Sequence, residues 1–464
     1  MNRSRRSRRA GSRRRPELSA AARPLVEPHA AGIDVGARQM YVAIPPDHDE
    51  EPVRVFATFT QDLEALADWL VERGITTVAM ESTGVYWIPL YQILEDHGLR
   101  VCLTSARQMR NVPGRRTDWH ECQWLQYLHS VGLLRAAFRP QQQVCAVRSL
   151  MRHRGRLVES ACDQIRLMQK SRTQMNVQLH HVISDLTGVT GMAIVDAILG
   201  GEREPARLAR LRQPEIRASE ETIRKSLEGD WRGEHLFTLK QAREIYRALV
   251  AAIEECDREI ARMLDEVEPW VQPDEKPRRP GSKKLKTRRA KRTGDFRFDA
   301  QREAYRLFGV DVTQIPGVGG IALGLYSELG RDMSRWRSAD AFSSWLALCT
   351  DNDKTGGKVV WRGTRGVKNR AGHLFRMSAN ALHRSATPLG QFLRRMKAKL
   401  GPEAGITATA HKIARIFYTM VKNQMEYDET IWQQQDTQRA RRQEDRLKRQ
   451  ARKLGYQLVP IQAA

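Results

Sequence analysis

The stretch Ala31 to Ile44, AGIDVGARQMYVAI, constrains this chain more than any other. It predicts a strand, a tight turn at Gly36 and a second strand, because apolar residues alternate and glycine lets the backbone reverse. Ile33 and Val35 share one face and Asp34 takes the other. A carboxylate within an opening strand is costly if buried without a partner, and a bound cation is the usual compensation. Asp34 is therefore a candidate metal ligand; the alternative is an aspartate that caps the turn.

The residues that follow extend the pattern. Val53 to Thr60 predicts a third strand, and Gln61 to Arg73 has helical spacing at Leu63, Leu66, Ala67 and Leu70. Thr76 to Met80 is a short apolar strand of the buried type that delivers Glu81 at its C-terminal end. Ser82, Thr83 and Gly84 turn into a helix ending near His97-Gly98, and Arg100 to Thr104 is another strand. Three early strands followed by alternating helix and strand fit the mixed sheet of a ribonuclease-H-like fold, in which carboxylates at adjacent strand ends converge. In NVPGRRTDWHECQWLQYLHSVGLL, Thr117 or Asp118 caps a helix, and Asp118 and Glu121 leave one face of its first turn. Asp34, Glu81, Asp118 and Glu121 thus form a set of four acids on three elements. Hard divalent cations require such oxygen donors, and two cations about 3.5–4 Å apart stabilise both oxygens of a phosphodiester displacement. Capping plus surface charge is the plainer alternative.

Composition narrows the partner. At 464 residues the chain has room for two to four domains. Its 78 Lys+Arg against 54 Asp+Glu give a formal charge of +24, which favours a polyanionic partner, most simply nucleic acid. The six cysteines show no CxxC pair, which suits a reducing cytosol without disulfides or a zinc site. No apolar run reaches membrane-spanning length, and the Arg-rich start lacks a signal-peptide core.

Two long helical registers follow. One runs from Val144 to Leu186 with Arg154 and Arg172 interrupting it; the other runs from Leu239 to Val267. They predict long helices that pair as a hairpin or between protomers, or else a plain helical core. Pro269 to Phe298 predicts a basic flexible linker lying on phosphates. IPGVGGIALGLYSELG resembles the hairpin of helix-hairpin-helix DNA binders, which makes Gly317 and Gly319 candidate phosphate contacts. Thr355 then sits in a Gly-flanked, cation-rich loop with Lys354, Lys358, Arg362, Arg365, Lys368 and Arg370. A hydroxyl there is a candidate nucleophile on phosphorus, with the cations stabilising transition-state charge; a turn threonine in a phosphate-binding loop is the alternative. Arg115 and Arg116 are further candidate nucleic-acid contacts.

The runs GIDVGARQMYVAIP, VAMESTGVYWIPLYQIL, NVPGRRTDWHECQWLQYLHSVGLLR, GMAIVDAILGGERE, IPGVGG and LCTDNDKTGGKV with KNRAGHLFRMSANALHRS closely resemble the insertion-sequence-110 family of transposases, in particular its subgroup with a long central region. The resemblance implies a resolvase-like ribonuclease-H domain with an Asp-Glu-Asp-Asp quartet, a coiled-coil region and a mostly helical C-terminal transposase domain. It implies DNA cutting and rejoining with Mg2+ or Mn2+, a guide (bridge) RNA that pairs with donor and target DNA, a serine that becomes linked to DNA, and a homo-oligomer, dimer or tetramer, in the bacterial cytoplasm on the nucleoid. By position the quartet falls on Asp34, Glu81 and Asp118, with Glu121 in place of the fourth aspartate. The serine falls on Thr355, a β-branched secondary alcohol with restricted χ1. The expected division is an Arg-rich arm over 1–28, a catalytic domain over 29–140, helical coiled coil over 141–270, a basic linker over 271–299, the transposase domain over 300–425 and a charged tail over 426–464. A hydrolytic resolvase-type nuclease and an inactive nucleic-acid-binding relic are the alternatives.

Overall fold

The computed structural model describes residues 24–82, 84–104, 117–271, 292–350, 352–356, 358–361, 363, 369–429, 445, 447–452 and 455–456. The Arg-rich arm through residue 23 and most of the basic linker, 272–291, lie outside them. The chain forms two compact units, Met1–Arg139 and Pro140–Ala464.

The first unit is a five-stranded mixed sheet. Strands β1 (Ala30–Val35), β2 (Gln39–Ala43) and β3 (Val53–Ala57) form an antiparallel meander. β4 (Thr77–Glu81) and β5 (Arg100–Thr104) add in parallel on the other side of β1, giving the order β3-β2-β1-β4-β5. Parallel neighbours need crossovers. Helix α1 (Thr60–Glu72) supplies the link to β4 and α2 (Trp87–Asp96) the link to β5. Ala31, Ile33 and Val35 of β1 and Val78 and Met80 of β4 share one core with Leu63, Leu66 and Leu70 of α1 and Leu90 and Leu94 of α2. Burying each of the larger side chains among these contributes about 1.5–3 kcal/mol, and the Ala31 methyl less. The third strand is shorter than the apolar run suggested, ending at Ala57.

Helix α3 (Asp118–Ser130) covers the opposite face of the sheet. The Thr117 hydroxyl caps it by accepting from the His120 N–H. Its direction follows from two contacts. Near its C-terminus, the buried His129 Nε2 lies 2.9 Å from the Thr77 hydroxyl at the start of β4. At its middle it rides on Gly32 of β1: a Cβ there would lie 2.2 Å from the Gln126 nitrogen and 2.4 Å from the Cys122 carbonyl oxygen. The helix therefore runs against β1 and β4, with its N-terminus towards the C-terminal ends of both strands.

The second unit is mostly helical. Helices α4 (Gln142–Gln174) and α8 (Gly233–Asp265), each 33 residues, pack antiparallel: Cys256 meets Leu150 at one end, and Asp230, just before α8, donates to Met175, just after α4. Helices α5 (Val189–Leu199), α6 (Pro205–Ala209) and α7 (Glu220–Ser226) complete that core. The apolar register read through to Leu186 is not one helix. The helix ends at Gln174, and Met175, Leu179 and Leu186 enter the same core from the turns beyond it. Both interrupting arginines are buried. Arg154 pairs with buried Asp257 and stacks on Phe296. The Arg172 Nε and Nη1 find no acceptor among the described residues, and burial lowers its pKa to about 10. The described end of the basic stretch is docked on this pair rather than free: the Gly294 carbonyl accepts from Arg154, and the Thr293 and Tyr246 hydroxyls meet at 2.8 Å.

Beyond it come α9 (Ala300–Phe308), α10 (Ala322–Leu329), α11 (Ala339–Trp345), a hairpin of β6 (Asp353–Thr355) and β7 (Lys358–Trp361), then α12 (Arg370–Ala381), α13 (Pro388–Leu400) and α14 (Pro402–Asn423). Phe308, Phe342, Phe375 and Phe417 meet edge to face or stacked at its centre. Arg148 and Arg152 of α4 tie it to the long pair: Arg148 donates to the Ser327 and Glu328 carbonyls that end α10, and Arg152 forks onto the Glu328 carboxylate at 2.8 and 2.9 Å. No helix among the described residues is long and apolar enough to cross a membrane.

Candidate functional site

Asp34 and Glu81 come together by register. β1 and β4 pair in parallel with Ile33 opposite Met80. Asp34 and Glu81 are the next residue on each strand, so they stand side by side, about 4.8 Å apart in backbone terms, and on the same face. That face is opposite to the one carrying Ile33 and Met80, and it is the face α3 covers. Both acids are half-buried.

Asp118 opens α3 at the end that lies towards these strand termini. It shares a row with Cys122, one turn on, which is buried above Gly32. The Cys122 thiol is pushed up to about 12, first by burial, with the negative charges of Asp34 and Asp118 adding to it. One side chain thus senses a carboxylate from the sheet and one from the helix. Glu121 is half-buried in the same first turn, while Asp118 is exposed. Among the described residues no three His, Cys, Asp or Glu side chains are grouped closely enough to hold a metal ion by themselves. Asp34 and Glu81 are neighbours by register, and Asp118 and Glu121 lie in the first turn of the helix laid over their face.

Gly32 and Cys122 are the supporting residues that sequence reading missed. The signal was present: Gly32 precedes Asp34 by two positions, on its own face of the strand, and glycine inside a strand marks close approach of another backbone.

The hydroxyl candidate belongs to the second unit. Thr355 is exposed at the end of β6 and pairs in register with Lys358, across a turn where Gly356 has φ of 57°. Lys358 and Arg370 are also exposed. Arg115, Arg116, Arg362, Arg365 and Lys368 lie outside the described residues, as does the side chain of Lys354. Gly317 has φ of 88°, and a Cβ there would sit 2.7 Å from the Ser378 carbonyl of α12, so packing alone explains that glycine. Gly319 is looser, its nearest neighbour being Gln301 at 3.3 Å.

Two family models match the chain. One, described as the transposase model DEDD_Tnp_IS110, spans residues 31–176, from β1 through α4. The other, described as the transposase IS116/IS110/IS902 family, spans residues 310–392, which include the Thr355 hairpin and α12. No curated protein matches the chain.

Proposed function

This chain belongs to the IS110 family of transposases, and on that premise we propose how it cuts and rejoins insertion-sequence DNA. Asp34 and Glu81 hold a divalent cation, Mg2+ or Mn2+, with Asp118 and Glu121 completing the quartet when DNA is engaged; Thr355 supplies a hydroxyl nucleophile; and an element-encoded guide RNA selects the DNA sites. The DEDD-type domain implies divalent-metal dependence in general. The donors present are all carboxylate oxygens, which suit a hard cation, and magnesium is commonly held by one or two carboxylates with water and substrate phosphate rather than by a full protein cage. A bound cation would neutralise charge on the scissile phosphate and on the oxygens entering and leaving it.

The observation that carries this reading is the pairing of Asp34 with Glu81 on neighbouring strands, beneath a helix whose N-terminus brings two more acids. Two carboxylates side by side repel each other unless a cation or proton relieves them. In the strand exchange, a bond would form between the Thr355 Oγ1 and phosphorus as the bond from phosphorus to the leaving sugar oxygen breaks, the hydroxyl proton ending on that oxygen. Lys358 and Arg370 would steady the phosphate.

The same proposal includes the domain division given above, pairing of the long central helices as a coiled coil, phosphate contacts at the Gly319 turn and through Arg115, Arg116 and the loop cations, and an oligomeric assembly on the nucleoid. The charge of +24 supports backbone contacts to RNA and DNA, with base pairing left to carry sequence. The test is a cleavage assay with the full-length protein on a plasmid carrying the element and RNA transcribed from its flanks. Asp34→Ala should remove cleavage and spare nucleic-acid binding. Thr355→Ala should remove the protein–DNA adduct. Cleavage that continues unchanged in Thr355→Ala would favour hydrolysis by water, and cleavage that survives Asp34→Ala would defeat the metal reading.

A further inference from the structure

The segment that carries Thr355 leaves the core at the end of α11 and returns at the start of α12. Both junctions are held at one place. Helix α11 ends in a Schellman turn: the Leu348 N–H donates to the Ser343 carbonyl and the Ala347 N–H to the Ser344 carbonyl. The left-handed position of that turn is normally glycine, and here it is Ala347, at φ of 54° and 1% exposed. Asn176 and Gln424, the other described non-glycine residues with positive φ, are partly or fully exposed. Among the described non-glycine residues with positive φ, Ala347 alone is buried.

Helix α12 grips this turn through three successive residues of one face. The Asn369 side-chain amide donates to the Trp345 carbonyl at 3.2 Å. Gly372 lies so close beneath Leu346 that a Cβ would come within 2.3 Å of its carbonyl oxygen. The Arg376 guanidinium donates to the Ala347 carbonyl at 2.7 Å. Asn369 is also the first residue of the returning chain, and its side-chain oxygen caps α12 by accepting from the Gly372 N–H at 2.8 Å. One side chain therefore ties the end of α11 to the start of α12.

We propose that Asn369 and Arg376 are positioning residues that clamp the neck of segment 348–368 and so fix the direction in which Thr355 is offered to DNA. The inference rests on the reading of Thr355 as the nucleophile. A hydroxyl on an exposed hairpin is aimed only as well as the hairpin's root is fixed. A strained, buried residue held by a hydrogen bond at that root is the feature expected where geometry matters more than stability. Arg376 suits the task because its guanidinium is partly buried and spans the gap to a carbonyl that a shorter side chain would leave unpaired.

The decisive variants remove the grips themselves. Arg376→Met loses the hydrogen bond to the Ala347 carbonyl, and Asn369→Asp loses the donor to the Trp345 carbonyl while keeping the oxygen that caps α12. With the full-length protein, a plasmid carrying the element, RNA transcribed from its flanks and Mg2+, the rate of covalent adduct formation at saturating DNA should fall in each by on the order of tenfold to a hundredfold, the loss expected of small misplacement. The DNA concentration for half-saturation should not move. Arg376→Lys, which keeps a donor, should recover part of the rate. An Asn369→Asp protein with the parent's rate overturns the clamp, even if Arg376→Met merely fails to fold. Thr355→Ala runs alongside. Adduct lost there, with Asn369→Asp normal, overturns the clamp and leaves the threonine reading. Adduct kept there, with Asn369→Asp slow, removes Thr355 from the chemistry and supports a clamp that aims the segment through another group.

Discussion

The acids and the hydroxyl sit in opposite mechanical settings. Asp34 and Glu81 project from the two central strands of a sheet, fixed by ladder hydrogen bonds on both sides and by a helix seated on Gly32. Thr355 is exposed at the tip side of a two-stranded hairpin in the other unit, and Asn369 and Arg376 hold the turn from which that segment departs. The difference teaches a division of labour. Groups that must stand close together against their own repulsion need a scaffold stiff enough to hold them. A group that must meet a long polymer is better placed on an element reaching into solvent.

The largest test of this contrast is Asp34→Asn. If the pair holds the proposed cation, removing one carboxylate should reduce strand cleavage at least on the order of 10²- to 10³-fold, with RNA and DNA affinity kept. Cleavage reduced only severalfold would mean the sheet pair is not the centre of the chemistry. Next is Gly32→Val, which would drive a side chain into the backbone of Cys122 and Gln126. It should cost the first unit about 1–3 kcal/mol or more, read as a lowered first transition in thermal unfolding. An unchanged Tm would show that α3 can lift off the sheet, and the contrast in stiffness would weaken. Thr355→Ser probes the other side. A primary alcohol free of the β-methyl should form the adduct about as fast as threonine or faster, whereas a scaffold-bound nucleophile would not tolerate the change so well.

The smallest effect is in pH. Burial holds the His129 imidazole below its usual pKa, so it stays neutral beside Thr77. The unfolded chain takes up a proton near pH 6.5 while the folded chain resists it. Stability is therefore full above that pH and declines as pH falls through it, by at most about 1.4 kcal/mol per unit. His129→Gln should flatten that part of the Tm–pH curve. The opposite group, Asp49, is held well below the carboxylate range by Arg73 above all, with the Glu51 N–H and Trp69 helping. Its contribution should persist until the pH drops beneath the ordinary aspartate value.

Much of the first unit was legible. Alternation located β1 and β2, the apolar run Thr76 to Met80 located β4 to within one residue, and a threonine before an acidic first turn located α3. Strand order was only implied, because periodicity says which face is apolar and not which strand lies beside it. Register did the rest, since one residue of slip would have turned Glu81 to the other face. The second unit was less legible. Heptads found both long helices but ran past the end of α4, because the turns after Gln174 feed the same core with the same residue types. Arg154 looked like an interruption because its partner, Asp257, is 103 positions away. The neck of the Thr355 segment was invisible for the same reason: nothing local marks Ala347 as left-handed or Arg376 as its support.

The arginine fork from Arg152 to Glu328 has one more consequence. Each long central helix extends about 50 Å, and the fork, together with Arg148 on the last carbonyls of α10, welds the base of that rod to the bundle bearing α12. A pull exerted far out along the rod would be passed as torque to the bundle that carries α12, from which the proposed nucleophile's segment is held.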